Sequence, residues 1–347
     1  MVSVCIIFRN DFELIYDTVD LLCEGTDPRE FEIIIYNDGS VDSAGKFQPL
    51  EASSFHKYNL KVINNPVHFG IGYGFDRMVF QSLGESIVLM GSDIRVHKGT
   101  SNGRSWLTDV KNSVKSKPNT IGCAVCIGLT PENLDLDQEG RNIRYGADLL
   151  FTVGINDLSV FSEIPQKNPN YQALFEAKWL HEKQSDEPYE IPCALGAFYF
   201  CSKAYYEKIG GWDTKPNVRF RGHSNYGVLE PYISLKSWLV GGGVTLFPNI
   251  EVGHIFKRVE GGKIFDKRSV RHDIHNYNRF FIAHTMVFDE ALRDRIINFL
   301  KPTLNVNRAK KYIRDNYSSV LEVKERNKLV FTNSLEYICS RFNIKLP

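Results

Sequence analysis

Short apolar runs alternate with polar segments through the first hundred residues. Runs of this length that are rich in Val and Ile predict buried strands, and apolar residues spaced three and four apart predict amphipathic helices between them. The predicted strands are Val2–Phe8, Phe31–Tyr36, Leu60–Asn65 and Ile87–Met90, with helices at Phe12–Leu22 and after Phe69. Because such units join parallel strands by right-handed crossovers, we expect a β-α-β-α-β-α-β half with a parallel sheet.

The fourth apolar run ends in Gly91-Ser92-Asp93. An Asp that follows a buried strand lies at the carboxyl edge of a parallel sheet, where ligands bind in open α/β folds. With His97 close behind it, this Asp can hold a divalent ion against a phosphate. A capping Asp in a strand-to-helix turn is the alternative, and the local pattern leaves both open.

Two other polar features follow strands in this half. Asn37-Asp38-Gly39-Ser40 ends the second strand, and its carboxylate can accept hydrogen bonds from a base or a ribose, although such a turn is also common in loops. Gly70, Gly72 and Gly74 open the helix after the third strand. These glycines either let backbone amides approach a diphosphate or ease the packing of helix on sheet.

The second half of the chain has a less regular pattern. We expect a helix over Trp106–Asn119, a strand over Ile121–Leu129, a loop-rich segment over residues 130–190 and a strand over Val244–Pro248. Residues 289–347 have helical spacing and read as a C-terminal helical appendage.

The composition is that of an ordinary globular protein, with 43% hydrophobic and 24% charged residues in 347. A formal net charge of +1 gives no global attraction to nucleic acid or to an anionic membrane. No apolar run approaches ~20 residues and the start lacks a basic leader, so we expect a cytoplasmic protein without a membrane span. The seven cysteines lie mostly in apolar strands, which favours reduced core thiols over a zinc or redox role for Cys123 and Cys126.

The motifs of the first half resemble the nucleotide-sugar half of GT-A glycosyltransferases, in particular glycosyltransferase family 2 and the polypeptide N-acetylgalactosaminyltransferases. The resemblance rests on Val2–Asn10, Tyr36–Asp42, the glycine stretch and Gly91–Asp93, and it covers roughly residues 1–285. It implies an α/β fold with a GT-A mixed sheet flanked by helices. The implied divisions are a nucleotide-sugar half (1–100), an acceptor half (101–285) and a helical C-terminal extension (286–347).

In the resembling families the acidic motif after the fourth strand holds manganese on the sugar-nucleotide diphosphate. That motif is DxD or DxH, so Gly91 here replaces the first Asp, just as Asn37 replaces the first Asp of the earlier turn. The string Val252–Arg258 resembles one in the N-acetylgalactosaminyltransferases, whose matching His is a metal ligand. The resemblance therefore implies Mn²⁺ or Mg²⁺ held by Asp93 and His254, with His97 as the alternative ligand. The donor-binding residues that it implies are Phe8, Asn10, Asp38, Gly70, Gly72, Tyr73, Arg77, Ser92 and Asp93.

The acceptor half carries a second group of matches. The segments Ile191–Phe200 and Tyr205–Asp213 are similar to the families' acceptor-side signature, and Leu229-Glu230 falls on their Glu-Asp pair. The second carboxylate of that pair is the general base in family 2, which makes Glu230 the implied base. A Glu that merely favours the dipole at a helix N-terminus is the alternative. The implied acceptor contacts are Trp179, Gly196, Trp212 and Tyr226.

These matches predict a metal-dependent glycosyltransferase that moves a sugar from a nucleotide sugar, with UDP the implied nucleotide, to a hydroxyl acceptor. Inversion at the sugar is favoured over retention because Glu230 occupies the base position. A glycan or protein acceptor, and an inactive module that only binds sugar nucleotides, remain alternatives, the latter because Gly91 and Leu229 replace carboxylates.

One specific acceptor is duplex DNA with hydroxymethylated bases, which similar-sized phage enzymes glucosylate or arabinosylate. The chain would then act in the host cytoplasm. The supporting feature is the basic and aromatic stretch Lys267–Phe281, together with Arg308–Arg314. Its cations would contact phosphates, and an aromatic ring would stack on a flipped base. The near-zero net charge weighs against a duplex binder.

Overall fold

The structure, a computed structural model, describes the whole chain except a set of short segments. Those segments are residues 25, 28, 56–57, 97–104, 131, 138–141, 155–171, 196–197, 215–226 and 257–271. Among the described residues, no helix combines the length and the apolar character that crossing a bilayer requires.

In the described part of the chain, a ten-stranded mixed sheet forms the centre. Its strands are β1 (Val2–Phe8), β2 (Phe31–Asp38), β3 (Leu60–Asn65), β4 (Ser86–Gly91), β5 (Ile94–Val96), β6 (Ile121–Leu129), β7 (Asn142–Arg144), β10 (Tyr189–Glu190), β11 (Phe198–Ser202) and β12 (Val244–Ile255). A separate two-stranded sheet consists of β8 (Ala147–Val153) and β9 (Ala173–Trp179).

The order across the large sheet is β10-β12-β6-β11-β4-β1-β2-β3, with β5 paired to β12 and β7 to β6. Strands β1 to β4 run parallel, as the sequence predicts, while β11 enters antiparallel between β4 and β6. Because the first four strands point the same way, their carboxyl ends share one edge of the sheet.

Helices pack around the sheet and make up most of the described chain after the last strand. They are α1 (Phe12–Cys23), α2 (Ile71–Gln81), α3 (Trp106–Ser116), α4 (Lys203–Ile209), α5 (Leu229–Leu239), α6 (His272–Met286), α7 (Glu290–Phe299), α8 (Leu304–Asp315), α9 (Tyr317–Val330) and α10 (Leu335–Phe342). The predicted helix over Trp106–Asn119 ends three residues early, because Pro118 disfavours helical geometry at Lys117.

Three predictions about the elements are corrected or extended. The connection from β2 to β3 contains a short 3₁₀ helix, Ala52–Phe55, so the first half lacks one of the three predicted α-helices. The segment over residues 130–190, predicted to be loop-rich, also contains the four strands β7, β8, β9 and β10 in its described part. The strand predicted to stop at Pro248 continues to Ile255, with an irregular register after Phe247 where proline lacks a backbone donor.

The predicted C-terminal appendage is helical, and it shares a hydrophobic core with the rest of the chain. Ile296, Val306 and Val320, from α7, α8 and α9, belong to the same buried cluster as Leu89 of β4 and Trp212. Helix α6 packs against both α8 and α9. The C-terminal helices therefore complete the core of the sheet domain instead of forming a core of their own.

A buried ionic cluster joins α9 to the acceptor half. The side chains of Asp213 and Lys236 are both 0% exposed, and Lys236 Nζ lies 2.8 Å from Asp213 Oδ2. Arg326 of α9 forms a second ion pair with the same carboxylate, and Tyr232 donates its hydroxyl to it. Burial lowers the pKa of Lys236 to about 8, which its carboxylate partner opposes. The cluster thus fixes α5 and α9 to the loop that carries Asp213.

Replacing Lys236 with Met is expected to destabilise the fold by roughly 3 kcal/mol, because Asp213 would stay buried with one cation fewer. The measurement is urea-induced unfolding followed by circular dichroism. Lys328→Met is the control: Lys328 forms an exposed pair with Glu325, and its loss should cost no more than about 0.5 kcal/mol. Equal effects of the two substitutions would contradict the assigned role of the cluster.

Candidate active site

The candidate site lies at the carboxyl edge of the parallel strands. In the sheet register Ile7 of β1 is opposite Gly91 of β4, and Phe8 is opposite Asn37 of β2. The residues that follow these strands therefore emerge together. Asn10 follows β1, Asp38 ends β2 and Asp93 follows β4, so the structure brings the predicted donor-side residues to one edge.

Asp93 and His254 are adjacent although they lie far apart in the sequence. The backbone amide of Ile255 donates to the carbonyl oxygen of Asp93 at 2.9 Å, in the antiparallel pairing of β5 with β12. This places His254 Nε2 3.6 Å from Asp93 Oδ2, with the side chains 21% and 26% exposed. Within the described part of the chain, no group of three or more His, Cys, Asp or Glu is arranged to hold a metal. The site accordingly offers one carboxylate and one imidazole.

A buried arginine, Arg95, forms hydrogen bonds beside the turn that carries Asp93. Arg95 is 2% exposed, and its Nη1 donates to Thr18 Oγ1 at 2.6 Å and to the carbonyl oxygen of Ser92 at 3.2 Å. Thr18 of α1 also donates to that carbonyl at 2.6 Å, and the amide of Ser92 donates to Ile7 at 3.2 Å. With its amide and carbonyl both bound, Ser92 cannot move freely, so the backbone before Asp93 is fixed.

An aromatic group packs beside His254. The ring of Phe256 meets the imidazole edge-to-face at 4.2 Å between centroids, and Trp179 lies 5.6 Å beyond it. The guanidinium of Arg144 lies over both Trp179 and Phe256, at 3.9 and 4.3 Å from the ring centroids. Trp179, predicted as an acceptor contact, is therefore half-buried and close to the Asp93–His254 pair.

Glu230 lies in the first turn of α5 and is half-buried. Burial raises the pKa of this carboxyl above its ordinary value, while a hydrogen bond from the Tyr199 hydroxyl works in the opposite direction. The neighbouring charge of Glu176 also raises the pKa, and that of His254 lowers it. Glu230 is thus a carboxyl with a raised pKa at the start of α5.

Asp38 is directed at the start of α2. Its Oδ1 accepts from the amide of Phe69 at 2.9 Å, and its Oδ2 accepts from Gly70 at 3.0 Å and lies 2.7 Å from His68 Nδ1. Asp38 itself is therefore the anion at this helix N-terminus, and these amides are not open to a diphosphate. The 2% exposure of Asp38 likewise makes it a positioning residue for the loop.

The glycines of α2 have a packing reason. A Cβ at Gly72 would lie 2.9 Å from the Trp212 side chain, and one at Gly74 would lie 2.5 Å from Ile7 Cδ1. Trp212 is fully buried and donates through Nε1 to the carbonyl of Leu229 at 3.3 Å. Its predicted acceptor contact is corrected to a core position, since an enclosed ring presents no surface to a ligand. Through that hydrogen bond Trp212 helps to position the first turn of α5.

The remaining predicted residues have varied positions. Asn10 adopts a left-handed conformation and ties the two loops together, since its amide donates to Ser40 Oγ and its Oδ1 accepts from Val41. Phe8 and Tyr73 are buried, Phe8 against Phe12 and Tyr73 against Phe69. Arg77 of α2 is half-buried. The predicted residues His97, Gly196 and Tyr226 lie outside the described residues.

The basic and aromatic residues proposed to contact DNA differ in their positions and exposure. Lys267, Arg268 and Arg271 lie outside the described residues. Tyr277, Phe280 and Phe281 are buried in the core on α6, so the expectation that one of these rings stacks on a flipped base is wrong. Arg279 is bound within the protein, to Glu176 and to the carbonyl of Leu174. Arg308 and Arg314 of α8 are exposed.

The cysteines are free, and those of the CxxC spacing are inert. Cys123 and Cys126 are both buried, and burial raises the pKa of each to about 12. Thiols that stay protonated at neutral pH are poor nucleophiles and poor metal ligands. Six of the seven cysteines are buried, as expected for core residues, and Cys23 is half-buried.

Sequence reasoning missed the residues that support the site. Arg95 donates a hydrogen bond to the turn before Asp93, Arg144 lies over the ring of Trp179, and the charge of Glu176 acts on Glu230. None of the three belongs to a motif. Arg95 gave one usable signal, since it lies between Ile94 and Val96 in a segment that reads as buried. Arg144 and Glu176 gave none, because their partners are distant in the sequence: Trp179 and Phe256 for Arg144, and Arg279 for Glu176.

Comparison with known proteins agrees with this geometry. Residues 3–101 match the sequence profile of glycosyl transferase family 2. N-acetylgalactosaminyltransferase 7 of Drosophila melanogaster is 24% identical over 260 residues, which cover 74% of this chain and 39% of that protein. Polypeptide N-acetylgalactosaminyltransferase 5 of Caenorhabditis elegans is 24% identical over 259 residues, covering 74% and 37%. The chain spans about two fifths of the length of these relatives.

A solved structure shares the fold. The crystal structure of GalNAc-T7 with UDP, GalNAc and Mn²⁺ superposes with a TM-score of 0.70 at 15% sequence identity, covering 100% of this chain and 59% of that one. The predicted GT-A architecture, a mixed sheet flanked by helices, is thereby confirmed. The chain therefore resembles glycosyl transferase family 2 over residues 3–101, and its GT-A fold is similar to that of GalNAc-T7.

Proposed function

We propose that this protein is a metal-dependent glycosyltransferase that takes a sugar from a UDP-sugar and transfers it to a hydroxyl group. The observation that carries the proposal is the meeting of Asp93 and His254 at the carboxyl edge of the parallel sheet. Each residue matches an incomplete family motif, and they come together only through the pairing of β5 with β12. The match of residues 3–101 to the glycosyl transferase family 2 profile and the similar fold support the same activity.

The two side chains fit Mn²⁺ or Mg²⁺. Nitrogen and carboxylate oxygen are suitable ligands for these ions. Ligands at neighbouring positions of an octahedral ion lie about 3 Å apart, close to the 3.6 Å between Nε2 and Oδ2. That separation exceeds a hydrogen bond. A bound ion would supply positive charge to stabilise the diphosphate leaving group.

Glu230 is the proposed general base for the acceptor hydroxyl. Its Oε atoms would take the proton of the hydroxyl as the new glycosidic bond forms, and its raised pKa brings the base closer to neutral pH. A general base on the acceptor hydroxyl is expected in a reaction that inverts the configuration at the anomeric carbon of the sugar. NMR analysis of the product's anomeric configuration tests it, and retention would remove Glu230 from the role of base.

The proposal is tested by hydrolysis of UDP-GalNAc, UDP-GlcNAc and UDP-glucose with the purified protein, with and without Mn²⁺. Mn²⁺-dependent release of UDP from at least one donor is expected. Tight binding of UDP without turnover of any donor, also in the presence of glycan and peptide acceptors, would favour the alternative of an inactive sugar-nucleotide-binding module, which Gly91 and Leu229 suggest.

Duplex DNA with hydroxymethylated bases is our candidate acceptor, with a glycan or protein hydroxyl as the alternative. Its remaining support is the exposed pair Arg308 and Arg314 together with the basic residues 267, 268 and 271. We expect the affinity for hydroxymethylcytosine duplex to fall steeply from 50 to 200 mM salt, by roughly a factor of ten for each two phosphates neutralised. Arg308→Glu with Arg314→Glu should flatten this slope. Absence of binding at low salt would exclude DNA.

A further inference from the structure

Gly91 occupies the position where the resembling families have the first Asp of their metal motif. The backbone conformation at position 91 does not require a glycine. Gly91 is the last residue of β4 and is not among the residues with positive φ. A side chain is therefore compatible with the main chain at this position, and the reason for glycine lies in its neighbours.

The neighbour is the carboxylate of Asp93. A Cβ built on Gly91 would lie 2.5 Å from Asp93 Oδ1, closer than real Cβ contacts. The next nearest atoms are also those of Asp93, at 3.6 and 3.9 Å. The space that a side chain at position 91 would occupy is thus filled by Oδ1 of Asp93. The other oxygen of this carboxylate, Oδ2, faces His254.

The backbone cannot relieve this contact cheaply. Ser92, between the two residues, has its amide bound to Ile7 and its carbonyl bound to Thr18 and Arg95. The carbonyl of Asp93 is bound to Ile255. A side chain at position 91 would therefore be accommodated by rotation of the Asp93 side chain, which is easy sterically but turns Oδ2 away from His254.

We infer that Gly91 is a positioning residue that sets the direction of the Asp93 carboxylate, so that the site works with one carboxylate and one imidazole because position 91 has no side chain. The inference rests on the proposed metal site. On this account the missing family Asp is not an eroded ligand, and restoring it weakens the site.

The test is titration of Mn²⁺ in the presence of UDP, followed by electron paramagnetic resonance of the free ion. Gly91→Ala is expected to weaken Mn²⁺ binding roughly tenfold to a hundredfold, the range for residues that orient metal ligands. Gly91→Asp, which recreates the DxD spacing, is expected to weaken it as well. Thermal midpoints should stay close to that of the unmodified chain, because the carboxylate can rotate.

A double-variant cycle separates this from a general disturbance of β4. If position 91 acts through Asp93, then Gly91→Ala should add no further loss in the Asp93→Ala background. Additive losses would overturn the inference, as would unchanged affinity in Gly91→Ala or tighter binding in Gly91→Asp. Failure of the unmodified chain to bind Mn²⁺ with UDP would instead overturn the proposed metal site itself.

Discussion

Alanine at Asp93 or at His254 is expected to remove most of the Mn²⁺-dependent binding of UDP, with a residual Mn²⁺ affinity about 100-fold lower than that of the unmodified chain. The reason is that the proposed site has two protein ligands among the described residues, so that either substitution would remove half of them. Isothermal titration of Mn²⁺ into protein with saturating UDP measures the effect. Each variant should lose binding to a similar extent, because neither motif is complete alone.

His181→Ala is the matched control for His254→Ala. His181 is exposed, and its Nδ1 lies 3.2 Å from the carbonyl of Ile143, so that it has a partner other than Asp93. It should bind Mn²⁺ as the unmodified chain does. Unchanged Mn²⁺ affinity in Asp93→Ala or His254→Ala would sink the assignment of the ligands, and His97 would become the next residue to replace.

Glu230→Gln is expected to lower the turnover of donor by ~10² or more while leaving donor affinity nearly unchanged. The amide keeps the shape of the side chain and can no longer accept the proton. Turnover of the unmodified chain should rise with pH through the pKa of Glu230, which burial places above the ordinary 4.5. In the variant this acid limb should disappear. Steady-state rates of UDP release between pH 4 and 8 measure both effects.

The stability of this variant distinguishes lost chemistry from lost folding. The pKa of Glu230 is higher in the folded chain than in the unfolded one, so the unfolded state loses its proton first as pH rises. The contribution of this group to stability is therefore present at low pH and is lost as pH rises through the folded pKa. At pH 7 the ionised carboxylate destabilises the fold, and Glu230→Gln should melt at the same temperature or higher. A lower melting temperature together with lower turnover would point to a structural role.

The parallel half of the sheet was predictable because its signal is local. Each strand from β1 to β4 is a short apolar run of its own, and β1 begins and ends where its run does. The Asp after β4 could be placed at the carboxyl edge by the same reasoning. The 3₁₀ helix between β2 and β3 was missed because that segment is polar and rich in small residues, which gives no helical spacing to contradict or confirm a crossover helix.

The contacts of the site were less predictable because they depend on distant partners. Nothing near Trp212 indicates that its ring fills the space left by Gly72, and nothing near Asp38 indicates that its oxygens bind the amides of Phe69 and Gly70. Similarly, an alternation of aromatic and basic residues does not reveal that the rings of α6 face a core completed by later helices. Side chains that reach between elements take their roles from the tertiary fold.

The pairing of β5 with β12 has a consequence for the newly synthesised chain. Strand β5 has three residues, and its partner in the sheet is β12. The hydrogen bond between Ile255 and the carbonyl of Asp93 therefore cannot form until residue 255 has been added. At about 5–20 residues per second, the parallel strands have ample time to assemble first on the ribosome. A translation product that stops before β12 would therefore contain the strands of the nucleotide half and still lack His254, one of the two proposed ligands of the cation.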